Sequence, residues 1–367
     1  MIQAGFIFLF LYVFLMFYLG FIVNKLPEIN EKYSLPKIKF SIIIPFKNEE
    51  DNLPLLLCSL QKINYPKDFF EIFFVNDHSS DSGEQIIEKY SNILPIKILK
   101  NIENSKSPKK DALETGIQQA KFEYIITTDA DCEIPENWLL SYNHFIVQKS
   151  PELIAGPVTY TDKKGFFYKF QSLEFLTLQA FTQAGFAVKK AFIANGANLC
   201  FTKKSFEEVG GYQGNKHLVS GDDVFLLEKI RKKFPKKIYF LKDRNNVVRT
   251  FPVENKQKLI HQKIRWASKM KTKKNSLGLW IGLLILTINL YQIYFLVFLF
   301  VFSISSVLFL LIKFLIDFYL IIQTNKFYQN KLKLLHILYS ELIYPFYLFS
   351  VLLGIINGNF KWKDNKY

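Results

Sequence analysis

Two carboxylates stand two residues apart in Asp129-Ala130-Asp131, at the end of the apolar run FEYIITTDAD (122–131). Charges that close repel unless a cation or hydrogen-bond donors compensate them. Oxygen-only ligands suit Mg²⁺ or Mn²⁺, which keep some water and bind substrate phosphates through one or two carboxylates. A second acidic position, Asp77, ends the run FEIFFVND (70–77). An Asp there either caps a turn or meets a ligand. A third, Asp222-Asp223, follows Gly221 and opens the stretch VFLLEKIRKK. These two either cap a helix with acidic first-turn residues or supply a general base held by a glycine turn. Further on, HQKIRWASKMKTKK (261–274) is basic and helical, with Ile264 and Trp266 as apolar anchors. That pattern suits a membrane surface.

Elements of alternating type must position these groups. FSIIIPF (40–46), FEIFFVND, IKILK (96–100) and FEYIITTDAD read as strands. Helical stretches separate them, one opening at Asn48-Glu49-Glu50 and another at EQIIEKY. Strands alternating with helices predict βαβ units and a mainly parallel sheet. Strand runs apolar on both faces predict helices on both sides. The expected fold class is therefore α/β, doubly wound and mainly parallel, with ligands at the carboxyl ends of its strands.

The apolar residues are segregated. Residues 4–23 carry no charge, and 278–312 carry none either. At about 20 residues per crossing, the first is one membrane span and 278–322 is two. Residues 334–357 make a further candidate interrupted by Glu341 and Pro345, which leaves a re-entrant or interfacial helix as the alternative. A basic region and a small-residue cleavage site are missing, so residues 4–23 are expected to stay as an anchor. Nothing basic precedes that span, whereas Lys25, Lys32, Lys37 and Lys39 follow it. The positive-inside rule then sets the N-terminus outside and 24–277 in the cytoplasm. The domains read as an anchor over 1–24, a cytoplasmic domain over 38–275 and about three helices over 276–358. Mean hydropathy of +0.10 with a net charge of +15 thus averages greasy helices with a basic enzyme-like middle. So apolar a chain is not disordered. Cys58, Cys132 and Cys200 are too scattered for a disulfide scaffold or a zinc knuckle.

Taken in order, SIIIPFKNEEDNL (41–53), VNDHSSD (75–81), KKDALETGI (109–117), TDADCEIPENWL (128–139), GANLCF (196–201), GDD (221–223) and QKIRW (262–266) resemble the inverting nucleotide-sugar glycosyltransferases of family 2. That resemblance implies the GT-A fold with membrane helices at both ends. It implies that Glu49 and Asp77 contact the uridine and ribose of a UDP-sugar, and that Lys109 reaches its diphosphate. Asp129 and Asp131 are similar to the family's metal-binding pair, with Asp131 the more direct ligand of Mg²⁺ or Mn²⁺. Asp223 stands at the position of the family's base, with Asp222 in place of the commoner Glu. Gln262, Arg265 and Trp266 match the QxxRW signature of membrane-integrated members, near the diphosphate and the acceptor mouth. Lys110-Asp111 departs from the pattern, being charged where small residues are usual, and Asn76 stands where many members carry Asp.

The expected partners are a UDP-sugar, a membrane lipid or lipid-linked acceptor, and the bilayer of the inner membrane. A processive polysaccharide synthase fits the signature too, but few C-terminal spans leave little material for a polymer channel. A membrane-anchored binding protein with an inactive domain would show gaps in the acidic set, which is complete. The positive charge lies against a membrane span rather than on an aromatic-laced face, so nucleic acid is not expected as a partner.

Overall fold

The computed structural model describes residues 1–29, 31–218, 220–271, 277–301, 303–357, 361–362 and 365–366. Residues 272–274 of the basic stretch and 363–364 of the C-terminal tail lie outside the described residues. In chain order the helices are α1 (Ile2–Lys25), α2 (Leu53–Gln61), α3 (Gly83–Glu88), α4 (Pro108–Gln119), α5 (Trp138–Lys149), α6 (Phe166–Ala187), α7 (Lys203–Glu208), α8 (Asp222–Lys233), α9 (Lys256–Lys271), α10 (Leu277–Val297), α11 (Ser303–Tyr328) and α12 (Leu334–Asn357). The strands are β1 (Phe40–Phe46), β2 (Phe70–Asn76), β3 (Ile96–Lys100), β4 (Tyr124–Thr127), β5 (Cys132–Glu133), β6 (Leu153–Ala155), β7 (Val158–Tyr160), β8 (Leu199–Thr202), β9 (Ile238–Phe240) and β10 (Val248–Thr250). The chain divides into a sheet unit, Leu26–Thr161 with Thr182–Phe251, and a helical unit, Met1–Lys25 with Asp162–Phe181 and Pro252–Tyr367.

In the sheet unit the strands run in the order β3-β2-β1-β4-β8-β6-β9. The first four are parallel, β8 is antiparallel to both its neighbours, and β9 is parallel to β6. Two-sided burial explains the uniform apolar runs: Ile42, Ile43, Ile44, Ile72 and Phe74 are all fully buried. Each such side chain contributes about 1.5–3 kcal/mol of transfer free energy. The core on one face joins Ile43 and Val75 to Leu113 of α4, Phe201 of β8 and Leu226 of α8.

Register explains where the sheet opens. β1 pairs with β2 to its last residue, Phe46 opposite Asn76, but leaves β4 after Ile43 opposite Thr127. Pro45, which has no N–H to offer, therefore sits where β1 has lost that neighbour. Beyond Thr127 the chain turns away to Asp129 and Asp131. A second sheet of order β5-β10-β7 then takes Cys132 opposite Thr250, which fixes the far side of that turn.

The helical unit contains four helices long and apolar enough to cross a membrane, Ile2–Lys25, Leu277–Val297, Ile304–Tyr328 and Leu334–Ile356. Along α1 the buried side mixes glycines with larger residues, with Gly5, Leu9, Tyr12, Met16, Leu19 and Gly20 inside. Phe10 and Phe14 are 72% and 66% exposed, an arrangement that suits lipid and not water. The two interruptions in the last helix are both answered. Pro345 deprives the Glu341 carbonyl of its helical donor, and Gln292 Nε2 of α10 donates to that carbonyl at 2.9 Å. The Glu341 carboxylate accepts a hydrogen bond from Lys313 of α11.

Candidate active site

Helix α4 brings a lysine to the acidic positions. Ser107 precedes it and Pro108 opens it, a proline position that needs no N–H. Lys109, in the first turn, donates from Nζ to Asp129 Oδ1 at 2.6 Å and lies 3.6 Å from Asp222 Oδ2. Burial alone would lower the lysine's pKa, but the Asp129 and Asp222 carboxylates outweigh it and hold the ammonium charged well above the usual lysine range.

The GDD turn meets the same point. Gly221 has φ +93 and caps α8, a left-handed conformation that favours glycine. Asp222 and Asp223 follow in the first turn, both buried, where the helix dipole stabilises negative charge. Gly196 lets the backbone approach these groups: a Cβ there would lie 3.0 Å from Asp222 Oδ2 and 3.7 Å from Lys109 Nζ. Its carbonyl accepts a hydrogen bond from Thr127 Oγ1 at 2.8 Å. Three distant segments, 109, 129 and 196–223, thus converge at the carboxyl end of β4.

Asp131 lies in the same turn. Burial first, then the neighbouring Asp129 and Glu49 carboxylates, push its carboxyl up to about 7. A divalent ion would relieve that crowding, so the residues fit one, with Asp131 and Asp129 as its oxygen ligands.

At the ends of β1 and β2 the two motif loops are laced together. Asn48 Oδ1 accepts from Ser80 N at 2.9 Å, and Glu50 Oε2 accepts from Ser82 N at 3.0 Å. Glu49 is steadied by Asn52 Nδ2 at 2.7 Å. Asp77 Oδ1 accepts from Asn101 Nδ2 at 2.6 Å, and Lys47 Nζ lies 3.6 Å from its Oδ2. Asn101, just past β3, went unnoticed in the sequence, where its only signal is its place after a third strand end. Asp77, His78 and Glu103 also bring ligand atoms within 4.8 Å of one another. His78 and Glu103 are exposed there, and Lys47 already partners Asp77.

Lys110 and Asp111, the charged pair at a small-residue position, are loop clamps. Fully buried Lys110 donates to the carbonyls of Asn215, Leu218 and Ser220 at 2.8, 2.7 and 3.3 Å. Asp111 Oδ2 accepts from the amides of Asn104 and Ser105 at 3.0 and 2.8 Å. Neither displaces Lys109 from the site. Asn198 is a further buried hub, accepting at Oδ1 from Trp138 Nε1 and Tyr142 OH and donating from Nδ2 to the Asn246 carbonyl.

Gln262, Arg265 and Trp266 lie on α9, in the helical unit. Gln262 Oε1 is buried with no hydrogen-bond partner among the described residues. Trp266 carries Lys263 Nζ 4.1 Å over its ring and packs against Phe175.

An open α/β sheet with paired aspartates, a lysine and a glycine-turned acidic helix start at its strand ends defines a nucleotide-sugar-transferase type of domain. Residues 41–210 match Glycosyl transferase family 2, so the chain carries a domain of that family over somewhat less than half its length. Poly(ribitol-phosphate) beta-N-acetylglucosaminyltransferase TarS of Staphylococcus aureus is 35% identical over 117 residues, 32% of this chain and 20% of that protein. Glycosyltransferase AglE of Haloferax volcanii is 28% identical over 185 residues, 50% of this chain and 58% of that protein. The chain thus spans a fifth to about three fifths of these relatives. Mannosyltransferase PcManGT from Pyrobaculum calidifontis, solved with GDP-Man and Mn²⁺, shares the fold over 96% of each chain with a TM-score of 0.56 at 14% identity.

Proposed function

We propose that the protein moves one sugar, with inversion, from a UDP-sugar to the hydroxyl of a membrane lipid or lipid-linked acceptor. The observation that carries this reading is the convergence of Asp129 and Asp222 on Lys109, with Gly196 packed beside Asp222 and Lys109. Displacement of the nucleotide builds charge on the departing diphosphate. Lys109 donates toward that charge, and preorganised donors are worth most where charge develops. A divalent ion held by Asp131 and Asp129, when bound, would neutralise the same phosphates; Mn²⁺ in PcManGT supports that choice of chemistry. Asp77, with Glu49, takes the nucleoside end. Asp223, beside Asp222 in the first turn of α8, takes the acceptor's proton on the opposite face. Gln262, Arg265 and Trp266 serve the diphosphate and the acceptor mouth.

The catalytic domain, residues 38–275, faces the cytoplasm of a cell bounded by an inner membrane, with the anchor over 1–24 and the helices over 276–358 in the bilayer. Lys25, Lys32, Lys37 and Lys39 after the first span support that orientation. The test is incubation of detergent-solubilised protein with a UDP-sugar panel and a lipid extract, read by mass. A lipid heavier by one sugar is the expected product. A ladder of additions would overturn single transfer, and no addition with any donor would overturn the activity.

A further inference from the structure

The helical unit holds a half-open cavity of about 180 Å³ that the transferase reading does not use. Apolar side chains from five helices line it, Met16, Leu173, Ile285, Ile321 and Ile337 among them. Charged groups line it as well, although ionisable residues at membrane depth are costly and mark function more often than packing. Lys313 Nζ donates to Asp317 Oδ2 at 2.8 Å and to Glu341. Tyr12 OH donates to Asp317 Oδ1 at 2.5 Å. On the α6 wall, Glu174 accepts from Lys263.

These pairs leave a residue of charge. Among the described residues Glu174, Asp317 and Glu341 pair with Lys313 and Lys263, an excess of one carboxylate. They also leave acceptors and a hydroxyl open. Glu174 binds its lysine through Oε2 alone, and Ser340 Oγ on the α12 wall is buried with no hydrogen-bond partner among the described residues. An anionic head such as a phosphate monoester, near −2 at neutral pH, would meet that excess at low dielectric. A head that donates hydroxyl hydrogens would be satisfied by it. The volume, below the roughly 300 Å³ of a pocket for a whole drug-sized ligand, holds a head and its first carbons but no long chain.

We infer that this cavity binds the hydroxyl head of a neutral amphiphile, a diacylglycerol or a long-chain isoprenoid alcohol, and rejects the phosphorylated form of the same lipid. This binding does not depend on the transferase reading, because it is measured without any nucleotide sugar.

The full chain, purified in detergent and delipidated, is titrated with four probes: diacylglycerol, phosphatidate, geranylgeraniol and geranylgeranyl phosphate. Native mass spectrometry reads the bound lipid. One alcohol-headed molecule per chain, held at least about tenfold more tightly than its phosphorylated partner, is the expected result, and the preferred alcohol tells glyceride from isoprenoid. Ser340→Leu, which fills the wall, should lower that retention by about tenfold with the helical circular dichroism intact. Thr177→Leu reads the same wall from α6 should the first variant fail to assemble. Equal or tighter retention of the phosphates, no retention of either alcohol, or full retention in both filled variants would overturn the proposal.

Discussion

At the residue scale, Asp131 is the group whose charge its surroundings oppose most usefully. Its carboxyl sits at about 7 because burial, Asp129 and Glu49 disfavour the anion. A raised folded pKa means that ionising Asp131 costs stability as pH climbs from the ordinary carboxylate range through 7. A divalent ion must displace a proton below that pH and none above it. The rise in Tm on adding Mn²⁺ should therefore be small at pH 6 and large at pH 8, and Asp131→Asn should flatten it at both. An equal increment at the two pH values would remove Asp131 from the ligand set. The two carboxylates of the GDD turn should separate by kinetics. Asp223→Asn should keep UDP-sugar binding and lose about 10²–10⁴-fold in transfer; near-normal turnover would sink the base assignment. Asp222→Asn instead frees Lys109 from its 3.6 Å partner, so its effect should fall mainly on KM for the donor.

At the element scale, the first turn of α4 carries Lys109, the proposed diphosphate contact, and Lys110, which clamps the loop leading to Gly221. Replacing Lys110 by Met removes one buried donor from three carbonyls, each backbone group costly to leave unpaired. The expected result is a stability loss of about 1–3 kcal/mol or more, with faster amide exchange through residues 215–218. Unchanged exchange there would show that the loop holds itself. This clamp also marks the limit of what the sequence discloses. Strands β1, β2 and β4 were legible because both faces are apolar, and Asp77, Asp129 and Asp131 were legible because they follow the ends of β2 and β4. Lys110 reads as an anomaly in one dimension, since its three acceptors lie more than 100 positions away. Asn101 was missed for the same reason, its partner Asp77 sitting on another strand. Pro345 and Glu341 likewise look like defects until α10 and α11 supply Gln292 and Lys313. Gln292→Leu should accordingly destabilise the helical unit by about 0.6–1.7 kcal/mol, the range for interhelical hydrogen bonds in membranes, measured by unfolding in mixed micelles.

At the scale of the whole molecule, the proposed orientation rests on charge and hydropathy together. Residues 203–274 hold 20 Lys and Arg against 7 Asp and Glu, a net of +13 out of +15. That block suits the anionic face of a cytoplasmic leaflet, where each basic residue is worth about 1 kcal/mol. With four crossings, an outside N-terminus returns the C-terminal tail to the outside, although Lys361, Lys363 and Lys366 pull it the other way. The hydrogen bonds of α12 support the crossing. Its carboxylate and its proline-orphaned carbonyl are both satisfied inside the bundle, so neither forces the helix back to the surface. Single cysteines in a Cys58→Ser background test this, since Cys132 and Cys200 are buried. An impermeant maleimide should label Gln3→Cys and Asn365→Cys in intact cells, and Lys100→Cys only after permeabilisation. Labelling of Lys100→Cys in intact cells would invert the proposed topology. A tail protected alongside Lys100→Cys would instead make α12 re-entrant, because an even number of crossings must leave both ends on one side.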